Sequence, residues 1–234
     1  DDDRAVSRLL TVLREGSDSL DNAMGRPADR ALLAQRQTNY LDFAAGFAPA
    51  CEAPEGPQEE RLFWMHRRYV RGLWLRLLGL NTALLSANDA DAGKLRLGEQ
   101  LIRSVTNPPV EPDELVVVLT HHPALGGWLS DERRVESWLG NRAHIHLSGH
   151  VHDDLAEKAR SGTPGPFIKV TAGTSHRNLS PVSVGSWPTP VSTPPGPRSS
   201  AGGFAPSFGY NLSSVIRNDD GSLVLQVWPR AWSP

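Results

Sequence analysis

Glu114-Leu115-Val116-Val117-Val118-Leu119-Thr120-His121-His122-Pro123 is the stretch that decides the fold. Its unbroken apolar run, with three β-branched valines, fits a strand buried on both faces, as the inner strands of an α/β sheet are. The strand ends on two histidines and a proline, so its carboxyl end carries chemistry and a turn. Downstream, residues 143–148 read as a second strand, running through His144-Ile145-His146-Leu147-Ser148 into Gly149-His150-Val151-His152-Asp153. Residues 167–171 read as a third. A helix is expected near 131–139 between the first two, which gives the strand-helix-strand order of a layered α/β domain.

Upstream, residues 1–50 read as helical. Leu9, Leu10 and Leu13 recur at helical spacing after an acidic start, and Gly16 ends that stretch. A second helix is expected after Pro27, with a stripe through Leu32, Leu33, Tyr40, Leu41 and Phe43. Residues 48–57, rich in proline, form a loop. Leu62-Phe63-Trp64, then Tyr69-Val70, the turn Arg71-Gly72 and the apolar 73–80 predict a β-hairpin. Arg67, Arg68, Arg71 and Arg76 then read as a positive, solvated face of that hairpin. Leu95, Leu97, Leu101, Ile102 and Val105 predict a short helix broken by Asn107-Pro108-Pro109. Residues 161–209 are crowded with Pro, Gly, Ser and Thr and read as a long surface loop. Strands at 210–216 and 223–228, joined by Asn218-Asp219-Asp220-Gly221, read as a closing hairpin.

Composition narrows the function classes. The 234 residues are 39% apolar, and 24 Lys+Arg against 26 Asp+Glu leave a net charge of −2. That balance excludes the strongly basic footprint of a dedicated nucleic-acid binder, while a nucleic-acid phosphoester stays open as a substrate. No apolar run approaches the roughly 18–20 residues that span a bilayer, so no membrane partner is expected. Cys51 is the single cysteine, so no intrachain disulfide forms and a reducing, cytoplasmic setting is expected. The opening Asp1-Asp2-Asp3-Arg4 reads as the middle of a longer polypeptide.

The chemistry lies in the histidines. Six of the eight fall between His121 and His152, in two groups that each follow a strand. Ligands of open α/β sheets gather at the carboxyl ends of strands, so two such groups can meet at one site. Neutral imidazole is a ligand for several transition metals. His121, His150 and His152 are the expected metal ligands, His122 is expected to neighbour or face a substrate, and His144 and His146 read as packing residues within their strand.

Thr120-His121-His122-Pro123, a helix, a strand and then Gly149-His150-Val151-His152 resemble the C-terminal half of the calcineurin-like metallophosphoesterase family. Softer matches are 79–84, Asp91-Ala92-Gly93-Lys94-Leu95 with Gln100, and Tyr210-Asn211 with the closing hairpin. The resemblance covers about residues 73–232. It implies an α/β fold of the α-β-β-α kind: a two-layer β-sandwich flanked by helices. Residues 1–57 would be a helical insertion or cap-like segment and 58–234 the C-terminal part of the catalytic domain. It implies two divalent transition-metal ions (Mn, Fe, Zn or Ni) and hydrolysis of a phosphoester by metal-activated water. In that scheme His121 and His150 hold one ion, His152 the other, and His150 also sits by the phosphoryl group as the catalytic histidine.

The family's Asp-x-His, Gly-Asp-x-x-Asp and Gly-Asn-His motifs do not occur in these 234 residues. Without a bridging carboxylate nothing holds two cations about 3.5–4 Å apart. The expectation is therefore half of a dinuclear site, completed by a missing N-terminal half in the same polypeptide or in trans, and inactive alone. The competing expectation is a non-catalytic metal-binding or protein-interaction module with a vestigial half-site.

Overall fold

In a computed structural model, residues 2–47, 63–106, 109–151, 155–159, 167–172, 209–219 and 222–231 are described. Four helices open the chain: α1 (Asp2–Glu15), α2 (Leu20–Gly25), α3 (Pro27–Gln35) and α4 (Thr38–Phe47). The order continues β1 (Phe63–Val70), β2 (Leu73–Leu80), α5 (Glu99–Thr106), β3 (Glu114–Thr120), α6 (Glu132–Arg142), β4 (Ile145–Ser148), β5 (Leu155–Ala159), β6 (Phe167–Thr171), β7 (Gly209–Arg217) and β8 (Leu223–Ala231). The chain divides into two compact units, one of residues 1–151 with 155–172, the other of 152–154 with 173–234.

The first unit is a mixed α/β structure around a six-stranded sheet of order β1-β2-β3-β4-β6-β5. Strands β2, β3, β4 and β6 run parallel; β1 and β5 are antiparallel edges. The valine run is β3, at the middle of the sheet, and its first five residues are buried. Val116 and Val118 join one core with Leu13, Leu33, Leu78, Ile102, Val135, Leu139 and Phe167, which brings helices α1, α3, α5 and α6 onto that face. Leu115, Val117 and Ile145 are also buried, so β3 is covered on both faces, as its sequence requires.

The expected hairpin is β1–β2. Arg71 and Gly72 have φ of 49° and 86°, the two positive values that a tight two-residue turn needs to match strand twist. Its arginines differ from expectation. Arg67 and Arg76 stand directly opposite in the ladder, an arrangement of like charges that destabilises a sheet. Glu114 of β3 reconciles them. Its carboxylate takes Arg67 Nε at 2.9 Å and Arg76 Nε at 3.0 Å, with a second contact to Arg76 Nη2. Arg76 also donates to the Pro109 carbonyl at 3.0 Å. Arg76 and Glu114 are buried, so Arg76 is an internal staple and not part of a solvated face. Arg67 lies 4.5 Å over the Trp74 ring.

Two other expectations shift for physical reasons. The helix read from Leu95 starts at Glu99, because Leu95 is used in an extended bridge to Leu129. Its first turn is capped from outside: Asp21 of α2 accepts the Glu99 and Gln100 N–H groups, each at 3.0 Å. Strand β5 was not expected, since Leu-Ala-Glu-Lys-Ala carries little β-propensity; it forms by pairing with β6 along the sheet edge.

In the second unit, the described residues form the expected hairpin β7–β8, with Leu212 opposite Trp228 and Val215 opposite Leu225. Of the expected loop 161–209, residues 167–171 are β6, while 161–166 and 173–208 lie outside the described residues, as do 48–62 with Cys51. No helix among the described residues is long and apolar enough to cross a membrane.

Removing one member of a buried ion pair leaves its partner charged and unpaired, at about 3–5 kcal/mol. Glu114→Ala should lose on that order in urea unfolding, whereas Arg68→Ala, on the exposed end of β1, should change the midpoint little.

Candidate metal centre

Three parallel strands deliver their following loops to one place: β2 into Asn81-Thr82, β3 into His121-His122, β4 into Gly149-His150. One nitrogen from each of His121, His122 and His150 lies within 4.8 Å of the others. His121 Nε2 and His150 Nδ1 are 3.1 Å apart. Two nitrogens each about 2.05 Å from a shared ion would stand about 2.9 Å apart at a right angle and about 3.3 Å apart at the tetrahedral angle. The observed separation falls between these values. His121 is exposed, His150 partly buried and His122 only 2% exposed.

Each imidazole is held by its neighbours. Gly149 N–H donates to the His121 carbonyl at 3.1 Å, which ties the two loops just past the strand ends. Val151 N–H then donates to the Gly149 carbonyl at 2.9 Å, closing a three-residue turn around His150, whose φ is 69°. This γ-turn is a rare and strained conformation for a residue with a Cβ. The positive φ falls on the histidine and not on the neighbouring Gly149. Trp128 meets the His150 ring edge-on at 4.2 Å between centroids and lies 5.4 Å from His122. It is delivered by Gly126 and Gly127, with φ of 134° and 81°, whose N–H groups donate to Glu132.

His122 is fixed through Thr82, whose hydroxyl accepts the His122 backbone N–H at 3.0 Å and meets its Nδ1 at 3.2 Å. If Nδ1 carries the proton toward Thr82, Nε2 keeps a free lone pair, the arrangement that orients metal-ligating histidines. His146 supports the same loop from beneath. Thr120 donates its hydroxyl hydrogen to the His122 carbonyl at 2.7 Å, so it accepts from His146 Nε2, 2.8 Å away. His144 Nδ1 accepts the Val116 N–H at 3.0 Å. Both residues therefore serve the structure, His146 from within β4 and His144 from the position just before it.

The electrostatics favour neutral rings. Burial, followed by the proximity of His150 and His121, pushes His122 down to about 4. Burial, with Lys169 nearby, does the same to His146, also to about 4. Asp91 borders the cleft beside His150. Burial alone would raise its carboxyl, but donation from Ser86, Arg14 and the Ala87 and Asn88 N–H groups outweighs it and brings the value to about 2. With its oxygens taken up by these donors, Asp91 anchors α1 to the loop 86–91 and is not free to ligate.

The sequence-predicted residues thus divide. His121 and His150 meet. His122, expected to face a substrate, lies inside the same cluster. His152 lies outside the described residues. Thr82, inside the matched segment 79–84, and Trp128 are not among the sequence-predicted site residues, and the Gly126-Gly127 pair ahead of Trp128 is the signal the sequence offers for it. The donor set fits one divalent transition ion: three imidazoles converge, and soft or borderline ions accept imidazole nitrogen. Among the described residues no carboxylate joins the cluster, so this set does not by itself hold a second ion.

No protein-family profile and no curated protein matches the chain. Solved structures similar to it include a hypothetical protein from Thermus thermophilus, with TM-score 0.39 and 16% identity over 72% of this chain and 61% of that one. Another is a Staphylococcus aureus protein provisionally named a 5'-nucleotidase, solved with alpha-ketoglutarate, with TM-score 0.31 and 16% identity over 47% of this chain and 24% of that one. The chain thus spans less than two thirds of the length of either.

Two outcomes follow from the site's geometry. His150→Gly should be more stable than His150→Ala by up to ~1 kcal/mol, because only glycine relaxes at positive φ; paired urea titrations measure it. In metal-free protein, unfolded histidines take up protons near pH 6.5, whereas folded His122 and His146 resist until about pH 4. Stability is complete above pH 6.5 and falls as the pH drops through that window. Urea midpoints at pH 7.5, 5.5 and 4.5 should show the loss, and His146→Gln should flatten part of it.

Proposed function

We propose that this chain contributes half of a dinuclear centre that hydrolyses a phosphoester, as a member of the calcineurin-like metallophosphoesterases. The observation that carries the reading is the 3.1 Å approach of His121 Nε2 to His150 Nδ1, with His122 beside them, at the carboxyl ends of adjacent parallel strands. A divalent ion held there supplies Lewis-acid stabilisation of phosphoryl charge and a more acidic water. His121 and His150 are the ligands on this side, with His152 assigned to the second ion. Low basicity keeps His122 neutral at pH 7, so it adds a lone pair or a hydrogen bond without a competing positive charge. Trp128 meets the His150 ring edge-on.

Three neutral donors leave two divalent charges unbalanced, so the reading requires carboxylates from elsewhere, in the same polypeptide or in trans. A phosphoester is the substrate class because it presents the anionic oxygens that such an ion binds. The alternative, a metal-binding module without chemistry, draws on the absence of a carboxylate from the described cluster.

Metal analysis and phosphatase assays separate the two. His121→Ala and His150→Ala should each reduce bound Mn, Zn, Ni or Fe by orders of magnitude, and His152→Ala should remove the second equivalent in the completed enzyme. His144→Gln and His146→Gln should keep the metal. The 234 residues alone should show no turnover of 4-nitrophenyl phosphate above a metal-only blank, and adding a carboxylate-bearing N-terminal half should restore turnover that His150→Ala abolishes. Full metal occupancy in the triple alanine variant would rule the assignment out.

A further inference from the structure

A cleft of about 770 Å³ opens beside the histidine cluster, between α4 and the ends of β1, β2 and β3. His121 is part of its wall, so whatever fills the cleft touches the same imidazole that ligates the ion. The size is that of a single small-molecule site, and the position, at the carboxyl ends of parallel strands, is where α/β sheets place ligands.

Its lining is selective in two ways. One side of the wall is apolar and aromatic, with Tyr40, Leu41 and Ala44 from α4 and Phe63 and Trp64 from β1, while Gln37, Asn81, Thr82 and Thr120 line the side toward the histidines. Trp64 lies across the ladder from Gly79. A Cβ on Gly79 would stand 2.1 Å from Trp64 Cε2 and Nε1, so the indole rests flat on the glycine. This leaves a planar π surface inside the cleft, matched to a flat ring. The charge is equally one-sided: Arg36 lines the cleft, and no carboxylate among the described residues does. Arg36 also borders the second cleft, of about 500 Å³, that contains His150. Its guanidinium is fixed by donation to the carbonyls of Leu84 and Ser86. An anionic group at the histidines therefore has a fixed cation within the shared wall of the two clefts, and the carboxylates nearby, Asp89 and Asp91, line only the second cleft.

We propose that this cleft receives the organic moiety of the phosphoester and selects a planar aromatic one, with the ring between Tyr40 and Trp64 and the phosphoryl group toward His121. The inference rests on the phosphoesterase reading and narrows it to aryl or heteroaryl phosphoesters.

The test is calorimetric titration of the full 234-residue chain loaded with Mn²⁺. The probes are naphthylmethylphosphonate, which is not hydrolysed, methylphosphonate, and neutral naphthylmethanol. Naphthylmethylphosphonate should bind at least about tenfold more tightly than methylphosphonate and quench fluorescence that Trp64→Phe removes. Ala44→Trp, which fills the cleft from the helix side, should erase that advantage and leave methylphosphonate affinity within about twofold. Tyr40→Ala, at a residue 57% exposed and so tolerant of truncation, should reduce it several-fold.

Equal, metal-dependent binding of the two phosphonates would overturn the proposal and leave the phosphoesterase reading standing. Naphthylmethanol binding that Ala44→Trp abolishes, with no metal-dependent phosphonate binding, would support the aromatic cleft and overturn the hydrolase reading. Sedimentation showing a dimer that Tyr40→Asp dissociates, with no probe bound by the wild-type chain, would identify a second copy as the occupant and overturn the proposal.

Discussion

The parallel pairing of β3 with β4 is the constraint on which the site depends. The register Val117–Ile145, Val118–His146 and Leu119–Leu147 brings the two strands out of the sheet side by side. The Gly149 N–H to His121 carbonyl bond carries that alignment past the strand ends. A slip of one residue in this pairing would separate the imidazoles. The register of β3 against β4 therefore specifies the geometry of the histidines.

The two ends of β3 are polar for different reasons. At its start, Glu114 is a buried anion that neutralises Arg67 and Arg76 and fixes the hairpin against the sheet. At its end, Thr120 links buried His146 to the His122 carbonyl. Charge serves assembly at one end, while the other is held by hydrogen bonds through Thr120. The helical segment joins in through Arg14 and Asp91 and through Arg36, which fix the 84–91 loop that borders both clefts. Strain is concentrated at His150, held at positive φ by the γ-turn and by Trp128. This is the position where a ligand's direction matters most.

Much of this was legible in one dimension. The strand 114–120, the hairpin turning at Arg71-Gly72 and the closing hairpin all carry local signals: a continuous apolar run, a turn dipeptide and the Asn218-Asp219-Asp220-Gly221 turn. His121 and His150 were legible as a pair because each follows a strand, and strand ends in such sheets converge. His146 was legible as structural because it lies within a strand and not after it, and His144, read as part of the same strand, stands immediately before it. The single-turn helix α2 and the edge strand β5 were not legible, since neither has apolar periodicity of its own; one is held by its Ser19 cap and packing, the other by its neighbour strand.

The sequence by itself determined which segments are buried, where the strands end and which residue types stand at those ends, because these follow from local polarity and backbone preference. Only the tertiary structure decided that Arg76 turns inward to Glu114, that His122 closes on His121 and His150 through Thr82, that Trp128 returns to His150, and that α4 and Trp64 enclose an aromatic cleft beside His121. Each of those depends on partners tens of residues away in the chain, brought together by strand register and helix packing, and no local pattern encodes a distance of that kind.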